Sequence, residues 1–214
     1  MQDVWAGRRE ALRNALALSL DALEFQYGEL VREQVEASPS SDFETPALAC
    51  LAAAEAAGGT AEAAMPAAVS LAFLAQMTLV FARLENTGGA ASLSTAWGMP
   101  RALNAGDAMF ALAQDTLLSA PDELTAEQRM EATRMLDKGA RALVDALLDC
   151  PEAEVAVVGQ RTLLATALGL GGLFGGASHE VRERLEGLGR EWSMLPADEL
   201  SRRLAGGPRS WLAT

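Results

Sequence analysis

Residues Pro66 to Leu84 are apolar on nearly every face of a helix, interrupted only by Ser70, Gln76, Thr78 and Arg83. A run of this kind either crosses a membrane or is enclosed by other helices, because a surface helix needs an apolar stripe on one side only. The neighbouring segments favour enclosure. They are rich in Ala and Leu and amphipathic, and no basic flank marks a cytoplasmic side. The run is expected to be the central helix of an all-α domain, with no membrane span.

A chain of 214 residues is long enough for one sizeable core, so one domain over residues 1–214 is expected. Hydrophobic residues make up 50% of it and aromatic residues only 5%, with Ala and Leu dominant. That bias favours helices, since Ala and Leu have high helix propensity and strand formers are scarce. The net charge of −12 repels nucleic acid and anionic membranes, which excludes both as partners. Lys138 is the only lysine among 17 basic residues, a bias that reads as genomic base composition.

Cys50 and Cys150 have no metal-site spacing and read as small core residues in a reducing cytosol. His179 is the only histidine, which rules out a histidine-based triad and any multi-histidine metal site. It falls in a Ser-His-Glu turn and is expected to be exposed. No basic stretch followed by an apolar one opens the chain, so a cytoplasmic location is expected.

Helical spacing of Leu12, Leu16, Leu20, Leu23 and Phe25 predicts one or two amphipathic helices over 3–36, with a break near Tyr27-Gly28. Ala37 to Asp42 is a polar loop, Pro46 opens a helix over 47–57, and Gly58-Gly59 closes it. Further helices are expected over 100–119, 126–149, 155–173 and 180–194, with a short one over 197–205. The helix over 155–173 is expected to decay into Gly171-Gly172 and Gly175-Gly176. The tail from Gly206 reads as frayed except for Trp211.

The stretch from Trp97 to Leu118 carries the most specific pattern. A Gly-Met-Pro entry feeds a long apolar helix, since proline suits a first helical turn. Asn104, Gly106 and Asp107 sit near its start. Buried polar groups need partners, so Asn104 and Asp107 read as a structural polar network within the packing, with a functional role as the alternative.

Four segments, in order over about 43–195, resemble the trans-isoprenyl diphosphate synthases of the polyprenyl synthetase family. Trp97 to Leu118 matches the family's Gly-x-Pro-x-Ala-x-Asn-Ala-Gly-Asp-Ala-Leu-Phe segment. Pro46-Ala47-Leu48-Ala49-Cys50-Leu51 to Gly58-Gly59 is similar to the helix after its Gly-Lys-x-x-Arg-Pro motif. Arg161-Thr162-x-Leu164 through Gly175-Gly176-Ala177 is similar to its Lys-Thr-x-x-Leu helix. Leu185-x-x-Leu188-Gly189-Arg190 is similar to the helix leading to its second aspartate-rich motif. The resemblance implies an isoprenoid-synthase-like helical bundle.

In that family two Asp-Asp-x-x-Asp motifs hold the magnesium ions that stabilise a departing diphosphate. This sequence has no Asp-Asp dipeptide. The first motif falls on Ala82-Arg83-Leu84-Glu85-Asn86, where only Glu85 and Asn86 could touch a cation. The second falls near Leu200-Ser201-Arg202-Arg203-Leu204. Thr45 occupies the arginine position before Pro46, and the chain is shorter than the family's full length.

By the same resemblance Arg161 and Thr162, with Arg83, are the residual candidates for holding a diphosphate. Asp145 or Asp149 could stand where the family places one metal-binding acid. The two are i, i+4 partners that either hold a cation weakly or form a solvated acidic face. No catalytic residue is assigned, and no magnesium or other cofactor is expected.

The resemblance implies a catalytically silent subunit that pairs with an active isoprenyl diphosphate synthase, or with itself, through helices beside the central ones. One alternative is a metal-independent prenyltransferase or terpene cyclase using Arg83, Arg161 and Glu85. Another is a non-catalytic binder of apolar molecules.

Overall fold

The computed structural model describes residues 5–23, 28–38, 43–84, 96–119, 124–148, 150–205 and 211–212. Among these residues the chain is all-α, with no strand. The helices are α1 (Ala6–Asp21), α2 (Gly28–Ala37), α3 (Glu44–Ala56), α4 (Met65–Leu84) and α5 (Met99–Leu118). They continue as α6 (Ala126–Leu147), α7 (Val155–Thr162), α8 (Leu164–Phe174), α9 (His179–Ser193) and α10 (Ala197–Ala205).

The apolar run is α4, and neighbouring helices enclose it as expected. Leu71, Phe73 and Leu74 are fully buried. Ser70, Thr78 and the Oε1 of Gln76 are hydrogen-bonded within the protein, whereas Gln76 Nε2 is buried with no partner among the described residues. Ser70 Oγ donates to the Pro66 carbonyl at 2.8 Å and Thr78 Oγ1 to the Ala75 carbonyl at 2.6 Å. Gln76 Oε1 accepts from Ser38 Oγ at 3.0 Å and from Gln34 Nε2 at 3.4 Å, which ties α2 to α4. Met65–Ala82 and Val155–Phe174 are long and apolar enough to cross a membrane, yet 78% and 67% of these windows is buried inside the protein.

Helix α5 follows Gly98, whose φ of 82° suits glycine, and carries Pro100 in its first turn. Its buried stripe is Ala102, Ala105, Gly106, Met109, Ala113 and Leu117. Gly106 sets how closely α5 meets α4, since a Cβ there would stand 2.6 Å from Cζ of Phe81. Asn104 and Asp107 are exposed, so neither is buried, contrary to expectation. The reason is angular. With 3.6 residues per turn, a stripe through 102, 105, 106 and 109 turns positions 104 and 107 outward.

Helices α3 and α8 touch backbone to backbone. A Cβ on Gly171 would lie 2.2 Å from the Cys50 carbonyl oxygen, and one on Gly175 would lie 2.5 Å from that of Ala54. The glycines of α8 are therefore packing positions, and the helix runs through Gly171-Gly172 to Phe174 where decay was expected. Gly58, with φ 98°, ends α3 as expected; Gly58 N–H donates to the Glu55 carbonyl and Gly59 N–H to that of Ala54.

The single helix expected over 155–173 is two, divided at Leu163. Thr162 Oγ1 donates to the Val158 carbonyl at 2.9 Å, a back-bond that bends helices. In the N-terminal region Leu12, Leu16 and Leu20 are buried as the spacing predicts, whereas Phe25 and Tyr27 lie outside the described residues. Thr125 and Gln128 form a capping box at the start of α6, and Ser178 caps α9.

Candidate functional site

Three motif positions far apart in sequence meet at one cleft of about 190 Å³, lined by Thr45, Val157, Gln160, Arg161, Leu164, Leu200 and Leu204. The first turn of α3 supplies Thr45, whose backbone N–H donates to Gln160 Oε1 of α7 at 3.2 Å. Arg161 lies beside Gln160, half-buried, and its Nη1 donates to the Ser193 carbonyl at the end of α9, 3.4 Å away. Thr162 spends its hydroxyl on Val158, within its own helix.

Helix α10 closes this cleft with an apolar edge. Leu200 is 9% exposed and belongs to the core, and Leu204 packs against it from one turn on. The charges of α10 face away and pair with one another. Arg202 meets Asp198 at 3.4 Å and Glu199 at 2.6 Å, and Arg203 meets Glu199 at 2.9 Å. Trp211 holds the helix down, with Nε1 donating to the Arg203 carbonyl at 3.3 Å and its ring edge-on to Trp192 at 5.0 Å.

Next to Thr45 the charge is inverted. Glu44 is 3% exposed and accepts from Arg9 Nε at 2.9 Å and Arg13 Nε at 3.0 Å, both from α1. Arg8 pairs with Glu55 farther along α3 and lies over the ring of Trp5. These contacts fasten the N-terminal helix. They span more than thirty positions, so no local spacing announces them.

A larger groove of about 620 Å³ opens where α4, α5 and α6 meet. Met77, Phe81, Phe110, Ala140 and Val144 make its apolar surface, and Asp107, Asp137, Arg141 and Asp145 its polar surface. Gln114 Nε2 donates to Asp137 Oδ1 at 2.5 Å across the α5–α6 seam. The sequence reading missed this groove, although Asp137, Arg141 and Asp145 recur every fourth residue on one face of α6.

The candidates named from the sequence therefore separate. Arg161 and Thr162 lie at the smaller cleft, while Asp145 and Asp107 lie at the larger groove. Glu85, Asn86 and Asp149 lie outside the described residues, as does the side chain of Arg83. Among the described residues no three of His, Cys, Asp and Glu stand together closely enough to hold a metal ion. Cys50 is buried in α3, which pushes its thiol pKa up, whereas Cys150 is half-buried. His179 is exposed, 3.5 Å from Glu183.

A bundle of this topology defines the isoprenoid-synthase fold. Over 99% of this chain and 94% of the other, it superposes with a TM-score of 0.73 on a chain of a deletion mutant of the heterotetrameric geranyl pyrophosphate synthase from mint, at 17% identity. The geranyl diphosphate synthase small subunit from Antirrhinum majus matches with a TM-score of 0.68 at 17% identity, over 96% of this chain and 93% of that one.

No protein-family model matches the chain. In sequence it is 35% identical over 155 residues to the (2E,6E)-farnesyl diphosphate synthase of Mycobacterium tuberculosis, covering 64% of this chain and 42% of the relative. Its fold is that of the isoprenoid synthases, and over those 155 residues its sequence is similar to a trans-isoprenyl diphosphate synthase. It spans less than half the length of the curated relatives it matches.

Proposed function

We propose that this chain is a catalytically silent subunit that pairs with an active prenyl diphosphate synthase and modulates its product length. One observation carries the reading. Where the family aims its second set of acids, α10 turns Leu200 and Leu204 toward Arg161. Magnesium, when bound in the family, stabilises the departing diphosphate, and it needs clustered oxygen ligands. The described residues do not fit the ion, because none of them form a carboxylate cluster and leucines occupy the facing helix.

The remaining cation of the cleft is engaged structurally, since Arg161 joins α7 to the end of α9. Length supports the same reading. The chain covers more than nine tenths of the matching chains from two geranyl diphosphate synthases, one described as heterotetrameric and the other as a small subunit. The pairing surface is the outer face of α5, where Met99, Leu103 and Leu118 are exposed. Apolar side chains on a monomer's surface suit a protein interface when they share one helix.

Co-expression with an active trans-prenyl diphosphate synthase, followed by light scattering of the purified material, tests the pairing. A stable complex that a Leu103→Asp/Leu118→Asp variant no longer forms is the expected result. Two species that never associate would remove the proposal.

A further inference from the structure

The geometry points to a second binding site: the groove between α4, α5 and α6 takes an amphiphile with an apolar tail and a positively charged organic head. Its volume of about 620 Å³ lies within the ordinary range for small-molecule sites, and its floor is apolar. Met77 and Ala140 are buried at its base, and Phe81 and Phe110 are half-buried along its walls. An apolar tail laid against them leaves water.

The charge of the lining selects the head group. Three carboxylates, from Asp107, Asp137 and Asp145, line the groove with one guanidinium, that of Arg141. The mouth is therefore negative by two charges, which attracts a cation and disfavours a phosphate or diphosphate. Asp137 accepts one bond from Gln114, and a carboxylate keeps further acceptor sites beyond one. Two aromatic rings beside the acids favour an alkylammonium head further, through attraction of a cation to the ring face. A divalent metal is a poorer occupant, since no three ligating side chains converge among the described residues.

Calorimetric titration of the full chain with decyltrimethylammonium, below its micelle-forming concentration, is the direct test. Saturable one-site binding is expected, at least tenfold tighter than that of geranyl diphosphate, which pairs an apolar tail with an anionic head. Asp145→Lys, on the exposed rim, is expected to weaken the ammonium at least fivefold and to strengthen the diphosphate. Ala140→Phe, which fills the base, is expected to abolish both while circular dichroism confirms the fold. The proposal is overturned if the ammonium fails to saturate, if the two probes bind equally, or if Asp145→Lys leaves the ratio between them unchanged. Should Ala140→Phe misfold, the rim variant alone decides.

Discussion

Gly171 of α8 lies so close to Cys50 of α3 that a Cβ on the glycine would stand 2.2 Å from the Cys50 carbonyl oxygen. The obstructing atom is backbone, so no rotamer change can make room. Gly171→Ala is therefore expected to destabilise the fold by about 2–3 kcal/mol, through displacement of one helix from the other. Gly7→Ala meets nothing within 4 Å and is expected to be neutral or slightly stabilising, by up to ~0.5 kcal/mol. Urea melts of the two variants make the comparison, and equal midpoints would show that the helices are not in this contact.

The Cys50 thiol is itself buried, which raises its pKa. The folded chain then holds the proton at pH values where the unfolded chain has released it. Stability is unaffected below the ordinary thiol pKa of about 8.5 and falls as pH rises beyond it, by at most ~1.4 kcal/mol per pH unit. Between pH 7 and 9.5 the wild type should lose about 1 kcal/mol more than Cys50→Ala. Identical slopes would mean that Cys50 ionises in the folded state. A thiol reagent at pH 8 should correspondingly label Cys150 in the native protein and Cys50 only after denaturation.

On α5 the buried and exposed faces give opposite expectations. Asp107→Ala should change stability by less than about 0.5 kcal/mol, because its side chain is at the surface. Met109→Ala, two residues on and fully buried, should cost about 2–4 kcal/mol. A large loss for Asp107→Ala with wild-type oligomeric state would contradict the outward orientation of that face.

Glu44 is the most deeply buried acid of the α1–α3 contact, and both of its arginines come from α1. The Arg9→Ala/Arg13→Ala double variant leaves that carboxylate without its ion pairs and should cost about 2–4 kcal/mol. Adding Glu44→Gln should recover part of the loss, since the buried charge is then gone. If the triple variant is no more stable than the double, the arginines act through packing alone.

The sequence revealed the all-α class, the enclosure of α4, the buried stripe of α1 and the end of α3, because each rests on helical periodicity or local turn chemistry. It misassigned Asn104 and Asp107, since a polar residue in an apolar helix reads the same facing inward or outward until the helix is docked. It read Gly171-Gly172 as the start of the helix's decay, because a packing glycine and a breaking glycine are identical in one dimension, whereas Gly175-Gly176 does end α8 as expected. The ordered motifs located Thr45, Arg161 and Leu200 along the chain, and only the fold brings them to one cleft. The Glu44 ion pairs and the groove beside Asp145 arise from helices meeting across the bundle, and no local pattern encodes them.

The central claim, silence alone and influence in combination, is tested most directly by the labelled products formed from isopentenyl diphosphate and an allylic diphosphate with magnesium. Three reactions are compared: this chain alone, an active trans-prenyl diphosphate synthase alone, and the two together. The account predicts no product from the chain alone and a shifted product-length distribution from the mixture. Magnesium-dependent product from the chain alone, or a mixture whose products match those of the synthase by itself, would contradict it.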